Sequence, residues 1–124
     1  MDMIPVDMTE LMEAAPGTAW KHPRMGGYFG VLARNGETGT TLFAFQPRKG
    51  NAYAFTIERD GEVKGWGRQK FTARQMFENR ADAVLVSDQL ALTGQLLGLI
   101  LSREDWLQGT VADFDASRTG ESEW

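Results

Sequence analysis

Residues 52–68 read Ala52-Tyr53-Ala54-Phe55-Thr56-Ile57-Glu58-Arg59-Asp60-Gly61-Glu62-Val63-Lys64-Gly65-Trp66-Gly67-Arg68. Two strand-like runs flank Asp60-Gly61, a strong short-range hairpin signal, because a type I′ turn needs two positive φ values. A two-residue turn there pairs Arg59 with Glu62, Ile57 with Lys64, Phe55 with Trp66 and Tyr53 with Arg68. Cross-strand partners share a face. One face then carries Tyr53, Phe55, Ile57, Lys64, Trp66 and Arg68. The other carries Ala52, Ala54, Thr56, Gly65 and Gly67. The first is aromatic and cationic. The second is small enough for a helix or another backbone to come close.

Strand signals continue upstream. Tyr28 to Arg34 and Thr41 to Gln46 read as strands, with a loop at Asn35-Gly36 and a turn over residues 47–51. Phe43 and Phe45 share a face. Ala19 to Arg24 lacks a clear period and reads as a loop or an irregular edge strand. Near the N-terminus, Asp7 and Glu10 have capping-box spacing. Met8, Leu11, Met12 and Ala15 follow at helical spacing, and Pro16-Gly17 closes the helix.

Downstream, Thr72 with Gln75 forms a capping box, and Phe71 with Met76 a hydrophobic staple. That helix runs to about Arg80. Ala83 to Val86 is a short apolar run of strand character. Ser87 caps a second helix through Leu101, apolar over a wide arc. Gly94 and Gly98 lie on one side of it and would let it approach the small sheet face. Ser102 caps a third helix, with Leu101 meeting Trp106 and Gly109 ending it. Val111 to Phe114 reads as a further strand. The expected fold is α+β: a four- or five-stranded mostly antiparallel sheet with an apolar helix packed on one face. Residues 1–116 form the single domain, and residues 117–124 a mobile acidic C-terminal tail.

Composition narrows the class. A chain of 124 residues can build one core without staples. Cysteine is absent, which excludes disulfides, thiolate metal sites and a thiol nucleophile, and fits a reducing compartment. The start, Met1-Asp2-Met3-Ile4-Pro5, has no signal-peptide pattern, and Leu90 to Leu101 is too short to cross a bilayer. A soluble, cytoplasmic protein without a membrane partner is expected; nothing in the sequence sets its oligomeric state.

The net charge of −4 hides a segregation. Residues 17–80 hold eleven Lys/Arg against five Asp/Glu, a balance of +6. Residues 1–16 hold four acids and no base. Residues 81–124 hold eight acids and two Arg, a balance of −6. An anion-facing surface on an otherwise acidic protein is implied.

No catalytic set emerges. His22 is the only histidine and lacks a nearby acid in sequence, so it reads as a loop residue at the surface. Glu104-Asp105 sit in the first turn of an expected helix, where the macrodipole favours them. Asp113 and Asp115 would share a solvated strand face. Neither a metal site nor a cofactor is expected. The candidate working surface is Tyr53, Lys64, Trp66 and Arg68, joined by Trp20 and Arg24 from the preceding loop. Aromatics interleaved with cations can anchor a protein interface or stack bases while neutralising phosphates.

Asp113-Phe114-Asp115 and Glu121-Ser122-Glu123-Trp124 are acidic with aromatic punctuation. This end resembles the C-termini of bacterial and phage single-stranded-DNA-binding proteins. The resemblance implies a tail that recruits partner proteins and competes for a basic groove. The expected function is that of a non-catalytic binding protein which occupies a partner protein, of the inhibitor, immunity or phage and mobile-element accessory type. The alternative is a binder of single-stranded nucleic acid or nucleotide, using the cationic-aromatic face with the acidic tail as competitor.

Overall fold

A computed structural model describes residues 3–5, 7–22, 26–86, 90–101 and 105–121. The fold is α+β, with helices on both faces of one antiparallel sheet. The strands are β1 (Met3–Pro5), β2 (Thr18–Lys21), β3 (Tyr28–Arg34), β4 (Thr41–Gln46), β5 (Tyr53–Ile57), β6 (Val63–Arg68) and β7 (Asp105–Thr110). The helices are α1 (Met8–Glu13), α2 (Ala73–Asn79), α3 (Leu90–Ile100) and α4 (Val111–Glu121). The strands lie in the order β1-β7-β2-β3-β4-β5-β6, so among the described residues the sheet has seven strands rather than four or five.

The extra strands correct two expectations. Thr18–Lys21 is a regular interior strand between β7 and β3, where a loop or an irregular edge strand was expected. Its alternation buries Ala19 on one face and Trp20 on the other. Residues 105–110 are a strand, not the helix that a Ser102 cap suggested; residues 102–104 lie outside the described residues. The local helix signal yields to pairing with β1 and β2, far away in sequence. Val111–Phe114 in turn opens α4, where the Thr110 hydroxyl accepts from Asp113 N–H at 3.1 Å. The backbone is helical through Glu121, so residues 117–121 continue α4.

The two sheet faces differ in size. The large face holds Trp20, Phe29, Val31, Phe43, Phe55, Ile57 and Trp106, covered by Leu11 of α1 and by Leu97 and Ile100 of α3. The small face holds Ala19, Ala44, Ala52 and Ala54 with Tyr28 and Leu32. Ala73 and Met76 of α2 and Val111 and Phe114 of α4 cover it. A helix does approach the small face, but α2 and α4 take that place. The apolar helix α3 lies on the large face. Gly94 and Gly98 are exposed on it, and a Cβ added at either would meet no atom within 4 Å.

Caps read from sequence are present. Asp7 accepts from Glu10 N–H at 2.8 Å. Thr72 and Gln75 exchange both bonds of a capping box. Met76 is buried while Phe71 stays about half exposed. Ser87 falls outside the described residues.

The glycines of α3 and β3 make opposite demands. Replacing Gly94 and Gly98 with Ala should raise stability by about 1 kcal/mol each, the helix-propensity gain where nothing is crowded. At Gly30 a Cβ would stand 3.0 Å from both the Thr18 carbonyl oxygen and Val111 Cγ2. Gly30→Ala should therefore destabilise by about 1–3 kcal/mol. Urea midpoints of the three variants check both signs.

Candidate functional site

The hairpin is built with a different turn from the one expected. Glu58 N–H donates to Glu62 O at 2.8 Å, and Gly61 N–H to Glu58 O at 2.9 Å. The loop is three residues, Arg59-Asp60-Gly61, closed by Gly61 in a positive-φ conformation at +94°. Asp60 is not in that region, so only one of the two positive φ values of a type I′ turn is present. The register near the turn shifts by one: Ile57 faces Val63, Thr56 faces Lys64, and Phe55 faces Gly65. A bulge at Trp66 then restores the expected pairing of Tyr53 with Arg68.

This shift divides the cationic-aromatic face in two. Phe55 and Ile57 belong to the large-face core. Tyr53 is on that side, with the Arg68 guanidinium 4.8 Å from its ring centroid. Trp66 packs instead against the small-face core, and its indole N–H donates to the Thr56 hydroxyl at 3.0 Å. The Lys64 ammonium stands 4.2 Å from the Trp66 ring centroid. Tyr53–Arg68 and Lys64–Trp66 are thus separate cation–π pairs on opposite faces.

The remaining candidates are displaced. Trp20 is buried, stacked on Phe29 at 5.0 Å between ring centroids, and is core rather than an anchor. Arg24 lies outside the described residues. His22 is buried rather than at the surface, with Trp106 set edge-on at 5.1 Å. Asp115 is also buried: it accepts from the Tyr28 hydroxyl at 3.0 Å and has Arg74 at 3.9 Å. Asp113 is exposed on α4, so the two acids share no strand face.

What the fold brings together is a cleft beneath α3. It encloses about 330 Å³ and is lined by Phe45, Tyr53, Ala54, Phe55 and Gly67 from the sheet. Leu92, Thr93, Gln95, Leu96 and Leu99 line it from the helix. Thr93, Leu97 and Ile100 are the buried row of α3. Leu92, Leu96 and Leu99 form the adjacent row at the same spacing and wall the cleft. That spacing was present in the sequence but merged into an apolar arc too wide to resolve two rows. The lining is mostly apolar with a few polar groups, as in ligand and anchor pockets. Among the described residues Arg68 makes no ion pair, and Leu92 of the cleft wall is exposed.

No family model matches the chain, and neither curated proteins nor solved structures give a match. Among the described residues no three His, Cys, Asp or Glu are grouped to hold a metal ion, and no helix is long and apolar enough to cross a membrane.

Tyr28→Phe should test the reading of Asp115 as a structural group. Removing the hydroxyl deletes one hydrogen bond to a buried carboxylate and should cost about 1.5–3 kcal/mol. Unchanged stability in chemical denaturation would contradict it.

Proposed function

We propose that the protein is a non-catalytic binding protein that occupies a partner protein through the α3 cleft. The partner would insert an apolar side chain between α3 and β5 and place a neighbouring carboxylate on Arg68. The observation that carries this reading is an apolar cleft whose wall residue, Tyr53, is capped by a guanidinium with no acidic partner among the described residues. Tyr and Arg are the residue types that dominate interface energetics, and they do so beside desolvated pockets. Inhibitor, immunity and phage-accessory proteins act in this way, without chemistry of their own.

The nucleic-acid reading draws less support. Bases need open aromatic faces along one groove. Here Arg68 covers Tyr53, Lys64 covers Trp66, and the two pairs lie on opposite sides of the sheet.

The test is capture from a lysate of the source organism with immobilised wild type, followed by mass spectrometry. Leu96→Trp should fill the cleft, and Arg68→Glu should invert the charge beside it. Both should reduce recovery of the wild-type partner at least tenfold, while Arg59→Glu on the hairpin loop should not. Equal recovery by all variants would remove the cleft from the interface. A parallel titration with single-stranded DNA at two salt concentrations should show no salt-dependent binding.

A further inference from the structure

Beyond β6 the chain returns along the sheet margin. The Gln69 side chain holds Val84 through both of its backbone groups. Val84 N–H donates to Gln69 Oε1 at 2.8 Å, and Gln69 Nε2 donates to Val84 O at 2.8 Å. Val86 N–H then donates to Trp66 O at 3.0 Å. Residue 84 lies at Gln69 and residue 86 at Trp66, so this segment runs antiparallel to β6. Its bonds to the Gln69 side chain and to β6 fall on alternate residues, the period of an extended strand. Leu85, between them, must direct its N–H and C=O away from β6. Among the described residues neither group is bonded.

The side chains are as open as the backbone. Val84, Leu85 and Val86 are 65%, 53% and 58% exposed. An apolar, β-favouring margin with unpaired backbone is a template for another strand. Natural edges are usually blunted by charge or proline, and residues 83–86 carry neither.

We propose that a second copy of this chain pairs antiparallel along residues 84–86, with Leu85 on the two-fold axis. The sequence Val84-Leu85-Val86 reads the same in both directions. Antiparallel pairing centred on Leu85 therefore sets Val84 against the other copy's Val86 and leucine against leucine. This is the self-complementarity that a two-fold interface requires. In an antiparallel ladder, one class of facing residues exchanges both N–H···O bonds. Leu85 supplies the free donor and acceptor for that exchange. In sequence, Asp82 and Asp88 bracket the stretch. Centred pairing sets Asp82 across from the other copy's Asp88, and like charges directly opposite are destabilising, so the ladder is confined to residues 84–86. A two-fold contact uses this same edge on both copies and does not grow beyond two.

The experiment is sedimentation of the full chain across a concentration series. Wild type should move from the mass of one chain toward that of two. Leu85→Pro removes the outward N–H at an exposed position, and Leu85→Arg adds like charge on the axis. Both should stay at one chain, with circular dichroism unchanged. Because the chain has no cysteine, Leu85→Cys gives a second readout. Hydrogen-bonded antiparallel partners have Cα atoms about 5.5 Å apart, within disulfide reach. Oxidation should cross-link Leu85→Cys at least tenfold faster than Thr38→Cys on the β3–β4 loop. Any of four results would overturn the proposal: one chain at every concentration, pairs that survive Leu85→Pro, growth past two copies, or equal cross-linking. None of these bears on the α3 cleft, which Leu96→Trp and Arg68→Glu test separately.

Discussion

The sheet must be buried on both faces, and it is built to be buried at two different depths. Along the central strands, bulky residues alternate with small ones. Phe29 and Val31 flank Gly30, Phe43 and Phe45 flank Ala44, and Phe55 lies beside Ala54. The bulky side forms one ring-rich layer, with Phe43 stacked on Phe55 at 5.1 Å and Phe29 edge-on to Trp106 at 5.1 Å. The small side admits α2 and α4 closely. A one-residue slip would exchange these faces on any strand. The bulge at Trp66 is therefore structural: it absorbs the offset left by the three-residue turn.

The same constraint explains how the chain ends are used. β7 enters between β1 and β2, which makes a strand near the C-terminus the bridge between the first two strands. Trp106 from β7 lies against Phe29 and His22. The chain turns at once into α4, with Val111 N–H on Gly17 O at 2.9 Å. Phe114 and Asp115 then reach back to Tyr28. The acids that looked like part of a tail are thus divided between a buried structural contact and solvent. This half of the molecule spends its aromatic residues on packing.

What could be read from the sequence was what short-range chemistry determines. The caps at Asp7 and Thr72 and strands β3 to β6 follow from spacing and turn residues within a few positions. β2 and β7 were not legible, because their strand state rests on partners far along the chain. Ser102-Arg103-Glu104 even supplies a competing helix signal beside β7. The site was half legible. Tyr53 opposite Arg68 followed from the hairpin, but Trp66 did not stay beside them, since one positive φ rather than two changes the loop length. Leu92, Leu96 and Leu99 were hidden in an arc that was apolar on several sides.

The unspent surface gathers at the β6 end for a physical reason. Thr93, Leu97 and Ile100 seat one row of α3 on the sheet, while the adjacent row of Leu92, Leu96 and Leu99 leaves the cleft open beside it. The bulge at Trp66 weakens the regular edge there, and the chain covers that edge with a side-chain clamp at Gln69 instead of a full strand ladder. A clamp satisfies Val84 but leaves the next residue's backbone outward. Few apolar contacts and exposed hydrogen bonds mark regions that open at low free energy. The β7 half, by contrast, is fixed by buried rings. Close packing and open surface therefore divide along the sheet. One end is closed by packing. The other keeps an apolar cleft, a cation with no acidic partner among the described residues, and an edge whose outward backbone groups at Leu85 are unbonded.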